Sequence, residues 1–342
     1  MLYQLEKWYF DFLTPGGDYF FGYFAQVSLL GMRTNELALH LRRAGTDRPT
    51  IWTGRFPATI EEREGDTRRV NLAHGWLEFG PVAPSSESDI EPQRTQRVRN
   101  RVRTSPISVC SVPSVVNPVS YPGSSINIEL PDAAVKLTYA ALPILDPGLV
   151  IPARRGAILW QPLMLGAGVE GEVRLHGESV AASGTRGYVD FLRSTVLPPS
   201  VPVRTLCWGR AHGPRCDLTY TIAIGIDDAW SRLVVRVGDR VLSATDVTVE
   251  PAEWEVSPVL GIRFPSRYRL LASGPGLRVE ADVVRDRAAV ESQFISGPSF
   301  LRRITRNPRG VKCTGRAFAK VEHDGTRVEA ELPMVDEHAI FD

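Results

Sequence analysis

The chain alternates short strand-like segments with turn signals along most of its 342 residues, and it carries almost no long helical period. The N-terminal segment shows the pattern clearly. The aromatic run Trp8–Leu13 is followed by Pro15-Gly16-Gly17 and by a second aromatic run, Tyr19–Leu30, which predicts two strands joined by a glycine turn. The 26 prolines and 29 glycines supply the turns that many short strands need. The pattern predicts a mostly β protein.

The same alternation predicts strands in both halves of the chain. In the N-terminal half they cover Thr50–Arg63, Val70–Phe79, Ser125–Leu130, Ala134–Leu142, Ala157–Leu165 and Gly168–Leu175, the last two as neighbours; Glu36–Arg43 fits a strand or a short helix. In the C-terminal half they cover Asp217–Ile226, Arg232–Arg240, Tyr268–Ala272, Leu277–Val284 and Lys312–Val321, with a last hairpin from Val321–His323 through Asp324-Gly325 to Val328–Leu332. Two consecutive antiparallel barrels or sandwiches fit this length better than one.

The stretch Gly184–Arg210 predicts the junction between these two bodies. Glycines precede Tyr188 and Asp190, and Leu197-Pro198-Pro199 stops regular structure before the next strand begins. We therefore predict an N-terminal domain over residues 1–197 and a C-terminal domain over 198–342. Because alternate residues of a strand share a face, Tyr188 and Asp190 point toward the same space, as do Trp208 and Arg210.

Charge gives no case for a nucleic acid or an anionic membrane as a partner. Lysine and arginine total 40 against 39 acidic residues, which leaves a formal net charge of +1. One basic segment, Arg94–Arg103, has a period of two and predicts a strand with a guanidinium face, either solvated or able to bind an anion. The arginines of that face are Arg97, Arg99, Arg101 and Arg103.

No motif for a metal, a nucleotide or a redox cofactor is present, so the sequence predicts neither cofactor nor metal. No zinc-type helix motif and no serine-hydrolase elbow is found. Cys207 and Cys216 flank a turn and could form a disulfide, but reduced packing residues suit them as well. The N-terminus lacks signal-peptide features and no apolar run reaches membrane-spanning length, which predicts a soluble, cytoplasmic protein.

Three short motifs, in order along the chain, resemble one known superfamily. They are Trp8–Phe12 (WYFDF), the GxxGYxD pattern that ends at Asp190, and Trp208-Gly209-Arg210 (WGR). Together they resemble the carotenoid 1,2-hydratase (hydroxyneurosporene synthase) and AttH-like superfamily. The resemblance implies two lipocalin-like β-barrels with an apolar ligand site at or between them. It also implies water addition to polyenes or the ring-forming chemistry of natural-product cyclases, including Diels–Alderases.

The chain departs from the superfamily's pattern directly after Asp190. Where that pattern continues with His and then Asn or Gln, this chain has Phe191 and Leu192. Water addition needs an acid to protonate carbon and a base to direct water, so the loss of these polar groups counts against a hydratase. A cyclase needs mainly a cavity that folds a flexible chain, and a hydrogen-bond donor or cation on a carbonyl lowers the barrier further.

The sequence therefore predicts a cyclase acting on an apolar polyene or polyketide chain, with a hydratase or dehydratase and a non-catalytic lipocalin-like carrier as alternatives. The predicted polar anchors are Asp190, Tyr188 and Arg210. The predicted substrate-binding walls are Trp8, Tyr9, Phe21, Tyr23, Trp160 and Trp208, which also fit plain core packing. Asp190 has a structural alternative, an ion pair with Arg210. His212 fits a proton-transfer group or a surface turn residue.

Overall fold

A computed structural model of the chain describes residues 2–46, 48–63, 67–80, 123–141, 144, 146–293 and 308–341, without the side chains of 287–293. Its regular structure is almost entirely strand. The first thirteen strands are β1 (Tyr3–Leu13), β2 (Tyr19–Leu29), β3 (Met32–Arg42), β4 (Thr50–Arg55), β5 (Ala58–Arg63), β6 (Thr67–Leu72), β7 (Gly75–Phe79), β8 (Ser124–Leu130), β9 (Ala133–Ala140), β10 (Leu149–Pro152), β11 (Ala157–Leu175), β12 (Glu178–Ala181) and β13 (Thr185–Ser194). All of them join one antiparallel sheet.

The remaining strands form a second antiparallel sheet of nine. They are β14 (Thr205–His212), β15 (Cys216–Ile224), β16 (Ala229–Val237), β17 (Arg240–Ala244), β18 (Asp246–Val256), β19 (Arg263–Gly274), β20 (Leu277–Gln293), β21 (Arg309–His323) and β22 (Thr326–Ile340). A short 3-10 helix, Pro198–Ser200, lies between the two sets of strands. The fold class predicted from the sequence, two consecutive lipocalin-like β bodies, is confirmed. The domain boundary at 197/198 stays a prediction.

Each sheet curls around a core of its own. The first sheet runs in the order β4-β3-β2-β1-β13-β11-β9-β8-β7-β6-β5, and the second runs β17-β16-β15-β14-β22-β21-β20-β19-β18. In both sheets the two end strands follow each other in sequence, and residues from nearly every strand point into one apolar cluster. Trp8, Phe10 and Phe12 alternate into the first core, as the period of two along β1 requires.

A third apolar cluster lies where the two sheets pack against each other. It combines Tyr9, Phe21 and Tyr188 from the first sheet with Trp208 and Val335 from the second. The β1 residues in this third cluster alternate with Trp8 and Phe10. One face of β1 therefore packs in the core of the first sheet and the other face packs at the junction. Burial of these large apolar side chains supplies most of the free energy that holds the sheets together.

The predicted strand positions are confirmed for most segments, with two corrections. The segment Glu36–Arg43, which fitted a strand or a helix, is strand as far as Arg42, in β3. Thr50–Arg63 is not one strand but two, β4 and β5, which stand at opposite ends of the sheet order, and Val70–Phe79 holds the end of β6 and all of β7. Ala157–Leu165 and Gly168–Leu175 are one continuous strand, β11, because register shifts near Met164 and Ala167 absorb the glycine instead of ending the strand.

The two hairpins predicted most sharply are confirmed. Strands β1 and β2 pair along their whole length from Tyr3↔Leu29 to Leu13↔Tyr19, and β21 and β22 pair down to His323↔Thr326 around the Asp324-Gly325 turn. The basic segment Arg94–Arg103 and the residues around it lie outside the described residues. No helix in the part of the chain that the structure describes is long and apolar enough to cross a membrane.

Candidate functional site at the junction of the two sheets

The junction brings together a set of aromatic and charged side chains that share a small residual exposure. Their relative exposures lie between 5% and 9%, whereas the buried aromatic side chains of the first core are at most 2% exposed. We call these residues the junction surface. They are Tyr9, Phe21, Trp160, Asp190, Trp208, Lys312 and Glu337.

Backbone pairing on the first sheet places Asp190 beside Tyr9 on this surface. Strand β13 lies between β1 and β11, with Tyr9 opposite Asp190 on one side and Pro162 opposite Asp190 on the other. The neighbouring glycine matters for this packing: a Cβ at Gly187 would lie 2.4 Å from the Asp11 carbonyl oxygen, so a larger residue would push β13 away from β1. The glycine pattern before Tyr188 thus has a packing cause.

Asp190 is a buried carboxyl group that accepts a hydrogen bond from an indole. Trp160 Nε1 donates to Asp190 Oδ2 at 3.0 Å. Burial raises the pKa of Asp190 to about 7, although the Trp160 hydrogen bond and the positive charges of Lys7 and Lys312 act in the opposite direction. The protonated form of Asp190 is therefore populated near neutral pH, and it can donate a hydrogen bond or a proton.

Arg210 does not pair with Asp190, as one alternative from the sequence had it; its carboxylate partner is Asp11. Arg210 Nε donates to Asp11 Oδ2 at 3.0 Å, and Arg210 Nη2 lies 2.6 Å from Asp11 Oδ1. Both side chains are buried, and the pair joins β1 of the first sheet to β14 of the second. Burial alone would lower the pKa of Arg210, but the charge of Asp11 outweighs it and raises that pKa.

Two tyrosine hydroxyls extend this ion pair toward the junction surface. Tyr9 donates to Asp11 Oδ2 at 2.7 Å, and the Tyr9 and Tyr19 hydroxyls lie 2.7 Å apart. Because the Tyr9 proton goes to Asp11, its oxygen accepts from Tyr19 and from Lys312 Nζ, which is 3.2 Å away. Burial raises the pKa of Tyr9 well above its ordinary value, so it stays a neutral phenol. We call Asp11, Arg210, Tyr9 and Tyr19 the Asp11 cluster.

Lys312 reaches the aromatic residues of the first sheet from β21 of the second. Its ammonium nitrogen lies 4.4 Å from the Tyr9 ring centroid, 4.2 Å from that of Phe21 and 5.2 Å from that of Trp208. These are cation–π distances. Glu337 Oε2, on the neighbouring strand, lies 3.2 Å from the same nitrogen. A cation thus stands on the aromatic part of the junction surface.

Tyr188 and His212 lie deeper, next to the junction surface. The Tyr188 hydroxyl and both ring nitrogens of His212 make no hydrogen bond of good geometry within the described residues. Asp190, Thr219 and Trp208 are nonetheless close enough to influence the Tyr188 pKa, which burial raises. His212 is buried, not a surface turn residue. Its Nδ1 lies 3.3 Å from Asp217 Oδ1, and burial lowers its pKa below the ordinary value.

Asp217 ties this region to the first sheet. Arg236 Nη2 lies 2.6 Å from Asp217 Oδ2 and also donates to the carbonyl oxygen of Gly166 in β11. Gly166 has a φ of +61°, and a Cβ there would meet the Asp217 carboxylate at 2.1 Å. The irregularity in β11 therefore makes room for a carboxylate from the other sheet.

The structure brings most of the predicted site residues together. Tyr9, Phe21, Trp160, Trp208 and Asp190 share the junction surface, with Tyr188 and Arg210 directly behind it. Trp8 lies apart, since it points into the first core against Phe24, Phe79 and Phe191. Tyr23 lies at the margin, where its hydroxyl donates to Glu36 at 2.8 Å and Lys7 covers its ring.

Four residues of the site were missed by reasoning from the sequence: Asp11, Tyr19, Lys312 and Glu337. Asp11 is the one charged residue inside WYFDF and alternates with Tyr9, so the motif held a usable signal. Lys312 and Glu337 lie more than a hundred residues beyond any motif, and nothing local marks them. Cys207, Cys216 and Cys313 are free thiols, so Cys207 and Cys216 form no disulfide. Among the described residues, no group of His, Cys, Asp and Glu side chains could hold a metal ion.

The fold is shared by solved structures of low sequence identity. A putative AttH from Nitrosomonas europaea aligns with a TM-score of 0.60 at 14% identity, over 98% of this chain and 92% of that one. CghA with Sch210972 aligns at 0.61 and 9% identity, over 99% of this chain and 88% of that one. Kievitone hydratase from Nectria haematococca aligns at 0.55 and 11% identity, over 98% and 89%.

No family model matches the chain, and no curated protein matches its sequence. The resemblance to the AttH-like superfamily that the three motifs predicted is confirmed at the level of the fold. A hydratase stands among the structural neighbours, and another neighbour was solved with Sch210972.

Proposed function

We propose that this protein is a cofactor-independent cyclase. It binds a largely apolar polyene or polyketide chain against the junction surface and promotes intramolecular ring closure, of which a [4+2] cycloaddition is one form. The observation that carries the proposal is Asp190: a carboxyl group in an aromatic setting, raised in pKa to about 7, with an indole as hydrogen-bond donor and the nearby arginine committed to Asp11.

The aromatic residues account for substrate binding and orientation. The Tyr9 ring centroid lies 6.0 Å from that of Phe21 and 5.4 Å from that of Trp208, and an extended apolar chain packs on the surface that these rings form. Ring closure within one molecule gains most of its acceleration from being held in a reactive conformer. Such a reaction needs no net proton transfer, so the absence of His and Asn or Gln after Asp190 costs it little.

Asp190 supplies the electrophilic assistance. In its protonated form the carboxylic acid donates a hydrogen bond to a carbonyl oxygen conjugated with the reacting double bonds, which withdraws electron density and lowers the barrier. The proton stays on Asp190 when the product leaves. Arg210 and Tyr188 act from behind the surface: Arg210 holds the Asp11 cluster, and with it the Tyr9 ring, while Tyr188 packs beside Asp190.

Product mass tests this proposal directly. Purified protein is incubated with linear polyene and polyketide chains, and the products are examined by liquid chromatography and mass spectrometry. We expect a product isomeric with its precursor, formed about 100-fold more slowly by Asp190→Leu, in line with the loss of one oriented donor. Asp239→Leu, in an exposed turn, serves as the matched control and keeps full activity. If every chain is bound yet returned linear, the protein is a carrier and the proposal is wrong.

A hydratase or dehydratase is the second candidate, favoured by buried polar atoms that have no hydrogen-bond partner among the described residues. The Tyr188 hydroxyl lies close to Asp190, and the Trp208 and His212 rings lie 5.6 Å and 6.5 Å from the Tyr188 ring. The Tyr188 hydroxyl, Trp208 Nε1 and His212 Nε2 would together hold a water molecule. Asp190 would give its proton to an alkene carbon and the water would add its oxygen to the resulting cation, losing a proton back to Asp190. The product then gains the mass of one water, which separates this reaction from cyclisation.

A further inference from the structure

The junction surface carries a cation that ring closure of a pure hydrocarbon would not use. Lys312 belongs to the second sheet, yet its ammonium group lies against three aromatic rings of the junction surface. The residue is 8% exposed. Placing an ammonium group in such surroundings removes most of its hydration, which is unfavourable unless the charge is paired and its donors are hydrogen-bonded.

The hydrogen bonds of Lys312 are incomplete. An ammonium group has three N–H donors. Among the described residues, one contact goes to the Tyr9 hydroxyl at 3.2 Å and one to Glu337 Oε2 at 3.2 Å. The third donor has no oxygen acceptor among the described residues, so an oxygen atom of a bound molecule can accept from it.

The position of Lys312 is fixed from two directions. On its own sheet it is the direct cross-strand neighbour of Glu337 in the β21–β22 pairing. From the other sheet, the Tyr9 hydroxyl that accepts from Lys312 is itself held by Asp11 and Arg210. A long lysine side chain is usually free to move, so this double restraint prepares the cation for a ligand at one place. The electrostatic effect of Lys312 on Asp190 puts the two groups in the same region.

We infer that Lys312 is the anchor for an acidic oxygen, a carboxylate or an enolate, at one end of the apolar chain bound by Tyr9, Phe21 and Trp208. The inference rests on the proposed function for the location of the surface, and it names the substrate class: a polyene that ends in an acidic oxygen, not a hydrocarbon. Lys312 supplies charge and Asp190 supplies a proton donor, so the two groups recognise neighbouring oxygens of one head group.

Binding of two matched probes tests this inference without any turnover. The probes are cis-parinaric acid, a fluorescent conjugated polyene acid, and the corresponding primary alcohol. A charge-assisted hydrogen bond is worth about 1.5–3 kcal/mol, so we expect the acid to bind at least about 10-fold more tightly than the alcohol. Lys312→Met is expected to abolish that preference and leave alcohol binding unchanged. Lys320→Met, on the exposed side of β21, is the matched control and keeps the preference.

Two further variants keep the test informative if Lys312→Met folds poorly. Lys312→Met with Glu337→Gln removes the carboxylate that the single change would leave unpaired. Glu337→Gln alone removes the anion that competes for the ammonium group and should tighten acid binding several-fold. Equal binding of acid and alcohol by the wild-type protein, or equal weakening of both by Lys312→Met, would overturn the inference. Failure of the cyclase proposal would appear instead as unchanged precursor, with the acid preference intact.

Discussion

Two buried carboxylates in this protein have nearly the same neighbours but stand in different places. In the Asp11 cluster, Arg210 and a tyrosine pair hold Asp11 between the two sheets. Inside the second sheet, Arg285 Nε donates to Asp336 Oδ2 at 2.6 Å, Tyr268 donates to the same oxygen at 2.5 Å, and the Tyr220 and Tyr268 hydroxyls lie 2.6 Å apart. We call Asp336, Arg285, Tyr268 and Tyr220 the Asp336 cluster.

The difference lies in what each cluster connects. All members of the Asp336 cluster come from one sheet, on β15, β19, β20 and β22, and surround the core of that sheet. The Asp11 cluster takes Asp11, Tyr9 and Tyr19 from the first sheet and Arg210 from the second, and its Tyr9 hydroxyl contacts Lys312 on the junction surface. The same set of side chains thus stabilises a single sheet in the Asp336 cluster. In the Asp11 cluster it joins the two sheets beside the candidate site.

The largest expected effect comes from breaking the Asp336 cluster. Arg285→Met leaves Asp336 buried without its cation, and removal of one partner of a buried ion pair costs about 3–5 kcal/mol of unfolding free energy. Urea unfolding measures the loss. Arg269→Met is the control: it removes the arginine of an exposed ion pair with Asp282 and should cost less than about 1 kcal/mol of unfolding free energy. A loss for Arg285→Met no larger than this control would show that the Asp336 cluster is not a stability element.

Breaking the Asp11 cluster should cost a similar free energy of unfolding, about 3–5 kcal/mol, but the destabilised strands should lie in both sheets. Because Asp11 and Arg210 belong to different sheets, Arg210→Met should raise amide hydrogen exchange in both β1 and β14. Arg285→Met should raise it in the second sheet alone. Arg210→Met with Asp11→Asn should recover part of the stability, since no buried charge is left unpaired. Identical exchange maps for the two arginine variants would contradict the comparison.

Asp190 extends the comparison, because it is a buried carboxyl group without an arginine. Its pKa is raised from 3.8 to about 7, so the folded protein holds a proton that the unfolded chain releases above about pH 4. The free energy of unfolding that Asp190 contributes therefore falls as pH rises from about 4 to about 7. Above about pH 7 both the folded and the unfolded form are deprotonated, so the contribution stays constant. Asp190→Asn removes the effect.

The stability of Asp190→Asn relative to wild type should therefore increase with pH across this window. One pKa unit corresponds to about 1.4 kcal/mol, so the relative gain should exceed about 1.4 kcal/mol between about pH 4 and about pH 8. Urea unfolding at a series of pH values measures it. A difference between the two proteins that does not vary with pH would mean that Asp190 titrates as an exposed carboxyl group.

The smallest expected effects come from single hydroxyl deletions. Tyr268→Phe removes a hydrogen bond to Asp336 and should cost about 1–2 kcal/mol, measured as unfolding free energy. Tyr9→Phe should cost a similar amount and in addition weaken binding of an acid probe, because Lys312 loses one of its two restraints. Tyr268→Phe should leave probe binding unchanged. If both variants affect binding equally, the two clusters do not differ in function.

Local signals in the sequence accounted for much of the fold and part of the site. The glycine turns and the period of two gave the hairpins, and the same period placed Tyr188 with Asp190 and Trp208 with Arg210 on common faces. These are properties of neighbouring residues, which the sequence displays directly. The sequence did not predict that β11 is continuous, because glycine is typical of both a β-bulge and a chain turn. Only the pairing of β11 with β13 distinguishes the two.

The amino-acid sequence by itself determined that this chain is mostly β, that its N-terminal strands are aromatic on both faces and that Asp190 stands on such a face. Only the tertiary structure decided which charges meet. Arg210 binds Asp11 across 199 residues and Lys312 reaches Tyr9 across 303, distances that no local pattern encodes. The physical reason is that a buried charge is stable only beside a partner, and the packing of the two sheets decides which partner is within reach.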